Sequence, residues 1–149
     1  MGTTGFFRGS YQASIDDKGR LKLPARFREQ LTNWYGDEVF ITSLDPSELR
    51  LYPLSVWEAF ETKFLAQPPL NPLVQRLMEH ANYGQEELMD NQGRVLIPAL
   101  LRETVGINGE VVVSGRGTFF GVVARERAKL ELSRAFTPEE LQALAALEK

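Results

Sequence analysis

The 149-residue chain contains no cysteine. Disulfides and cysteine-ligated metals are excluded, which fits a reducing cytosol. Histidine occurs once, as His80 on a helical stretch beside Glu79, away from any second ligand set, so neither a metal nor a catalytic role is assigned to it. No apolar run approaches the ~20 residues that span a bilayer, and no membrane association is expected. The opening MGTTGFFRGS lacks the long apolar segment of a secretory signal, and its first five residues read as a loose lead-in. The sequence holds no G-x-S-x-G, no Cys–His pair and no convincing carboxylate dyad. Ser114-Gly115-Arg116-Gly117 lacks the Gly-x-x-x-x-Gly-Lys spacing of a phosphate loop and fits a hairpin turn better. Neither an enzyme nor a cofactor is expected.

Excess positive charge is also missing. Lys and Arg number 17 against 20 Asp and Glu, a formal net charge of −3. Taken alone, that total argues against a nucleic-acid partner, but distribution matters more. Residues 1–30 carry six basic side chains (Arg8, Lys18, Arg20, Lys22, Arg26, Arg28) and three acidic ones (Asp16, Asp17, Glu29). The N-terminal fifth is therefore a basic patch on an acidic body. Hydrophobic content of 43% and charged content of 25% are ordinary for a globular protein. The length suits one compact unit, or two very small halves sharing a core.

What the chain does contain is a repeat. DDKGRLKLPARFRE at 16–29 returns as DNQGRVLIPALLRE at 90–103, with seven of fourteen positions identical: Asp16/Asp90, Gly19/Gly93, Arg20/Arg94, Pro24/Pro98, Ala25/Ala99, Arg28/Arg102 and Glu29/Glu103. Asp at the first place and Gly at the fourth mark a tight turn, the carboxylate accepting a backbone N–H two residues on. Asp16 and Asp90 are read as turn holders that also pin the nearby Arg. RLKL then alternates with period two, placing Arg20 and Lys22 on one face and Leu21 and Leu23 on the other. Pro24 suits a first helical residue, and Phe27 and Leu31 share one side of the short helix PARFREQL. EVFITS and ELRLYP follow as strands around the turn LDPS.

The second copy keeps this order. EELM, the turn DNQG, the strand RVLI and the helix PALLRETV, stopped by Gly106, are followed by the strands EVVVSG and TFFGVVA. Helices flank each unit. Ser55 with Glu58 reads as a capping box ahead of Trp57, Phe60 and Phe64, NPLVQRLMEHANYG aligns Val74, Leu77, Met78 and Ala81, and Thr137, Pro138 and Glu140 start a C-terminal helix striped with Leu141, Leu144 and Leu147. The expected organisation is a first repeat over 10–54, a helical linker over 55–85, a second repeat over 86–129 and a C-terminal helix over 130–149. Neither repeat buries a sufficient core alone, so the two are expected to form one α+β, barrel-like domain with internal pseudo-two-fold symmetry.

With those residues in view, FFRGSYQASIDDKGRLKLPARFRE, LRLYPLSVWEA and DNQGRVLIPALLRE resemble the MraZ family of bacterial transcriptional regulators, whose repeats are similar to the AbrB-like swapped-hairpin DNA-binding module. The resemblance covers residues 6–130 in order. It implies a double-repeat swapped-hairpin β-barrel with flanking helices and assembly into a ring-like homo-oligomer. It also implies repression through double-stranded DNA, at direct repeats in a promoter, typically that of the division and cell-wall operon that includes the regulator's own gene. Carried over by position, the D-x-x-x-R motifs are Asp16/Arg20 and Asp90/Arg94. Arg20 is the first choice for DNA contact, with Lys18, Lys22 and Arg8 beside it; Arg26 and Arg94 complete the candidate set, and Gly19 and Gly93 serve the turns.

The copies differ in charge. The first fourteen-residue window carries five basic and three acidic side chains, the second two of each. Where the first has Lys18, Lys22 and Arg26, the second has Gln92, Leu96 and Leu100. The first copy is therefore expected to touch DNA, and the second mainly to complete the barrel and the oligomer. Arg28 and Arg102, each followed by Glu, read as helix-surface ion pairs. A competing reading is an AbrB-like protein-binding adaptor of the antitoxin type.

Overall fold

The computed structural model describes residues 5–149. Of the lead-in read over the first five residues, only Gly5 lies among those described. The elements run β1 Ser10–Ser14, β2 Arg20–Lys22, α1 Ala25–Trp34, β3 Glu38–Asp45, β4 Glu48–Pro53, α2 Leu54–Leu65, α3 Pro72–Ala81, β5 Gln85–Leu88, β6 Arg94–Leu96, α4 Ala99–Val105, β7 Glu110–Gly115, β8 Phe120–Ala124, α5 Arg125–Ser133 and α6 Pro138–Leu147. Among the described residues no helix is long and apolar enough to cross a membrane.

Local chemistry explains most boundaries. Pro24 and Pro98 stand just before α1 and α4 instead of opening them: with ψ of 139° and 137° they are still extended, and the chain turns helical one residue later. Gly106 ends α4 in the left-handed region, φ 70°. Asn71 caps α3 by accepting the N–H of Leu73 and Val74, and the helix start expected at Thr137, Pro138 and Glu140 forms, with a capping box between Thr137 and Glu140. The capping box expected from Ser55 and Glu58 does not form. Helix α2 follows β4 without a gap, so Ser55 already lies inside it and Pro53 takes the cap position with no side-chain bond. The C-terminal region holds two helices where the sequence predicts one. RERAKLELS is charged all round and lacks the 3.6-residue stripe that would announce a helix, yet it forms α5.

Tertiary pairing departs from simple hairpins. Strand β1 pairs with β7, and β5 pairs with β3, so each repeat lends its first strand to the other. The result is a six-stranded antiparallel sheet in the order β1-β7-β8-β4-β3-β5, with β4 against β8 at its centre. Exchanging the repeats reverses this order onto itself. Strands β2 and β6 form a separate two-stranded ladder, tied to β1 by a bridge between Ile15 and Leu21. The strands therefore do not close into the barrel expected from the repeat. The turns at 16–19 and 90–93 divert three residues of each copy out of the main sheet, which ends at the edges β1 and β5.

The main core lies between one face of the sheet, the β2–β6 ladder and helices α1 and α4. It gathers Leu21, Leu23, Phe27 and Leu31 from the first copy with Val95, Ile97 and Leu101 from the second. Alternation along β3 sends Val39 and Ile41 to this core and Phe40 to a second one under α2 and α3, with Tyr52, Trp57 and Ala81. Phe120 on β8 sits within the main core, its ring centroid 4.1 Å from that of Phe7 and 4.7 Å from that of Phe27. Truncation there opens a cavity lined by two other rings. Phe120→Ala is expected to cost about 3–5 kcal/mol of stability, measured as a lowered denaturant midpoint at unchanged m-value.

Candidate nucleic-acid interface

The repeated turn forms twice with matching geometry. In the first copy the Asp16 carboxylate accepts three bonds: Lys18 N–H at 3.0 Å and Arg20 N–H at 2.9 Å on Oδ1, and Arg20 Nε–H at 2.9 Å on Oδ2. In the second copy Asp90 accepts Gln92 N–H at 2.8 Å, Arg94 N–H at 2.9 Å and Arg94 Nε–H at 2.9 Å. Backbone bonds close each turn, from Gly19 N–H to Asp16 O and from Gly93 N–H to Asp90 O, both at 3.0 Å. Gly19 and Gly93 adopt φ of 82° and 77°, which side-chain-bearing residues rarely tolerate. The Asp thus holds both the turn and the Arg through Nε, and the terminal nitrogens of Arg20 and Arg94 have no partner among the described residues. Each guanidinium is held in place by the Asp of its own turn.

The ladder then joins the two turns into one surface. Its register pairs Arg20 with Leu96, Leu21 with Val95 and Lys22 with Arg94. Leu21 and Val95 point inward and are fully buried, so Arg20, Lys22, Arg94 and Leu96 share the outer face. Lys22 and Arg94 stand directly opposite one another, where like charges repel. Arg20 and Arg94 each have one carboxylate partner, Asp16 and Asp90.

Not every candidate joins this face. Lys18 is exposed on the first turn, and Arg26 is exposed in the first turn of α1 just after Lys22. Arg8 lies beyond the opposite end of β1, a strand of roughly 16 Å, beside the Phe7–Gly117 bridge. It stands apart from the cluster. Arg94, given a mainly structural place by charge counting, sits beside Lys22 on the outer face. Leu96 and Leu100, expected to be buried or covered by another subunit, remain 44% and 53% exposed in the single chain.

Two arginines are placed otherwise than their sequence neighbours suggest. Arg28 and Arg102 make no ion pair with Glu29 or Glu103 among the described residues. Each reaches under the turn of the other repeat. Arg28 Nη2–H donates to Asn91 O at 2.5 Å, and a Cβ on Gly93 would lie 2.6 Å from Arg28 Cδ. Arg102 Nε–H donates to Ile97 O at 3.1 Å, and a Cβ on Gly19 would lie 2.9 Å from its guanidinium carbon. The available signal was their retention in both copies, while Lys18, Lys22 and Arg26 are not repeated. Among the described residues no cluster of three or more His, Cys, Asp or Glu side chains is placed to hold a metal ion.

The MraZ family profile, described as "MraZ protein, putative antitoxin-like", matches residues 6–80. The chain is similar to the transcriptional regulator MraZ of Koribacter versatilis, 46% identical with 95% of this chain and 98% of that protein covered. It is also similar to the regulators of the same name from Acidobacterium capsulatum, 42% identical with 93% and 97% covered, and Nitrosomonas europaea, 39% identical with 88% and 89% covered.

Two measurements check the turn geometry. Gly93→Ala meets both a positive φ and the Arg28 side chain, whereas a Cβ on Gly106, also at positive φ, meets nothing within 4 Å. Gly106→Ala is expected to cost about 1–2 kcal/mol and Gly93→Ala more than that, read from denaturant midpoints. The second concerns acid. The backbone N–H of Arg20 above all, helped by that of Lys18 and by the Arg20 side chain, holds the Asp16 carboxyl below its ordinary 3.8, against a smaller desolvation effect; the backbone N–H of Arg94 leads the same shift at Asp90. A depressed folded-state value contributes stability above the unfolded-state pKa of ~3.9 and loses it as pH falls through the folded value. Thermal melts from pH 6 down to pH 2 should therefore fall more steeply for the wild type than for the Asp16→Asn, Asp90→Asn double variant.

Proposed function

The chain belongs to the MraZ family, and from that premise we propose that it is a DNA-binding transcriptional repressor. Its sites are direct repeats in a promoter, by resemblance that of the division and cell-wall operon including its own gene, bound by a ring-like homo-oligomer in the cytoplasm, at the nucleoid. The observation that carries this reading is the outer face of the ladder, where Asp-pinned Arg20 and Arg94 flank Lys22. A two-stranded β-ribbon fits the major groove of B-DNA. Phosphate contact is the first role of the cations, and a bidentate reading of guanine by Arg20 or Arg94 the second. The reading draws both repeats into one contact surface. The exchanged strands, β1 onto β7 and β5 onto β3, support the AbrB-like swapped-hairpin assignment and the division into repeats over 10–54 and 86–129.

One protomer offers only a handful of phosphate contacts from an acidic chain. Several protomers meeting successive repeats would raise avidity by ~10²–10⁴ where geometry permits. A second reading, a protein-binding adaptor, is favoured by the antitoxin-like description of the family and by Leu65, Leu70 and Leu73, more than 70% exposed around the link from α2 to α3.

A titration of the region upstream of the protein's own gene separates the two. Arg20→Ala and Arg94→Ala are each expected to weaken binding by about 1–3 kcal/mol, with native particle mass unchanged. Lys22→Ala should lower the log–log salt slope by about 0.9. Normal binding by Arg20→Ala would overturn the site assignment, and a wild-type affinity indifferent to salt would overturn the DNA reading in favour of the adaptor.

A further inference from the structure

We infer that Leu96 determines the orientation in which a protomer sits on its duplex, by breaking the symmetry of an otherwise two-fold reading face. The inference rests on the DNA-binding reading and deepens it. Exchanging the repeats carries Arg20 onto Arg94 and Lys22 onto Leu96, so the outer face of the ladder has four equivalent places. A symmetric face would fill them with Arg, Lys, Arg and Lys. The second lysine is instead Leu96, 44% exposed, and its neighbour Leu100 on α4 is exposed where α1 carries Arg26.

Neither leucine can contact a phosphate. Both can meet the apolar part of a base edge, and the C5-methyl of thymine is the group of that kind in the major groove. Leu96 is well placed for it. It lies directly across the ladder from Arg20, at the ~4.5–5.5 Å Cβ separation of paired strand residues, so guanidinium and methyl groups reach adjacent base pairs. The other half of the face offers Lys22 beside Arg94. Turned end for end on the same site, the protomer would set a leucine where a lysine had met phosphate, and an ammonium against the methyl. One orientation is preferred, and a chain of protomers in like orientation reads repeats that are direct, not inverted.

The experiment selects binding sites from a random-sequence duplex library with the full-length wild type, Leu96→Lys and Leu96→Ala, and measures native particle mass and thermal melting for each. Leu96→Lys restores the symmetric charge pattern. It should enrich more nearly palindromic sites, and its log–log salt slope should steepen by about 0.9. Leu96→Ala keeps every cation. It should retain binding while its preference at one base pair falls about fourfold, the worth of one methyl contact. Selection of the wild-type motif by both variants overturns the inference while leaving the DNA reading intact. A change in particle mass also overturns it, by making Leu96 a subunit contact. If the wild type itself enriches nothing, the DNA reading falls and this inference with it.

Discussion

Neither repeat can finish its own sheet, and the rest of the molecule follows from that constraint. Strand β1 finds its hydrogen-bond partner in β7 of the second copy, and β5 finds its own in β3 of the first. The exchange places the two copies back to back across the β4–β8 contact and leaves β2 and β6 free to pair with each other. It also brings Leu21 and Val95 together over the main core, which collects apolar side chains from both repeats. Were each copy self-contained, Arg20 and Arg94 would lie on separate surfaces. Pairing across the pseudo-two-fold axis makes them one.

The turns sharpen that surface. An Asp carboxylate that accepts two backbone N–H groups and an Nε–H uses its charge locally, leaving the outer nitrogens of the Arg available. Arg28 bonds to the turn of the opposite repeat, and Arg102 packs beneath Gly19 of the other while bonding to Ile97 of its own. The surface is preorganised at a cost visible in its own register, the opposed cations Lys22 and Arg94. A protein of net charge −3 can therefore present a local positive field to a polyanion.

Legibility in the sequence varied with the range of the interaction. Asp16, Gly19 and Arg20 announce their turn because every bond in it spans four residues or fewer. The same holds for Gly106 and for the Thr137–Glu140 cap. Ser55 misled because a capping box is a local signal that a preceding strand can override, and here β4 runs directly into α2. Helix α5 was missed because its charges carry no period. The barrel expectation assumed that alternating strands would close on one another, whereas the ladder leaves the sheet open at β1 and β5. Arg28 and Arg102 were read with the nearest opposite charge in sequence, although their partners are a turn away in the other repeat.

The duplication, the chemistry of each Asp–Arg turn, the apolar faces of the strands and the unequal charge of the two copies can all be read along the chain. These depend on neighbours along the chain and on side-chain period. Which strand pairs with which, where Arg8 lies relative to the cluster, and the face that Arg94 shares with Lys22 emerge only once the chain is folded. Those outcomes rest on bonds such as Ser10 Oγ to Ser114 Oγ, 104 residues apart, for which sequence spacing carries no information. Such contacts form only when a shared core brings distant strands into register.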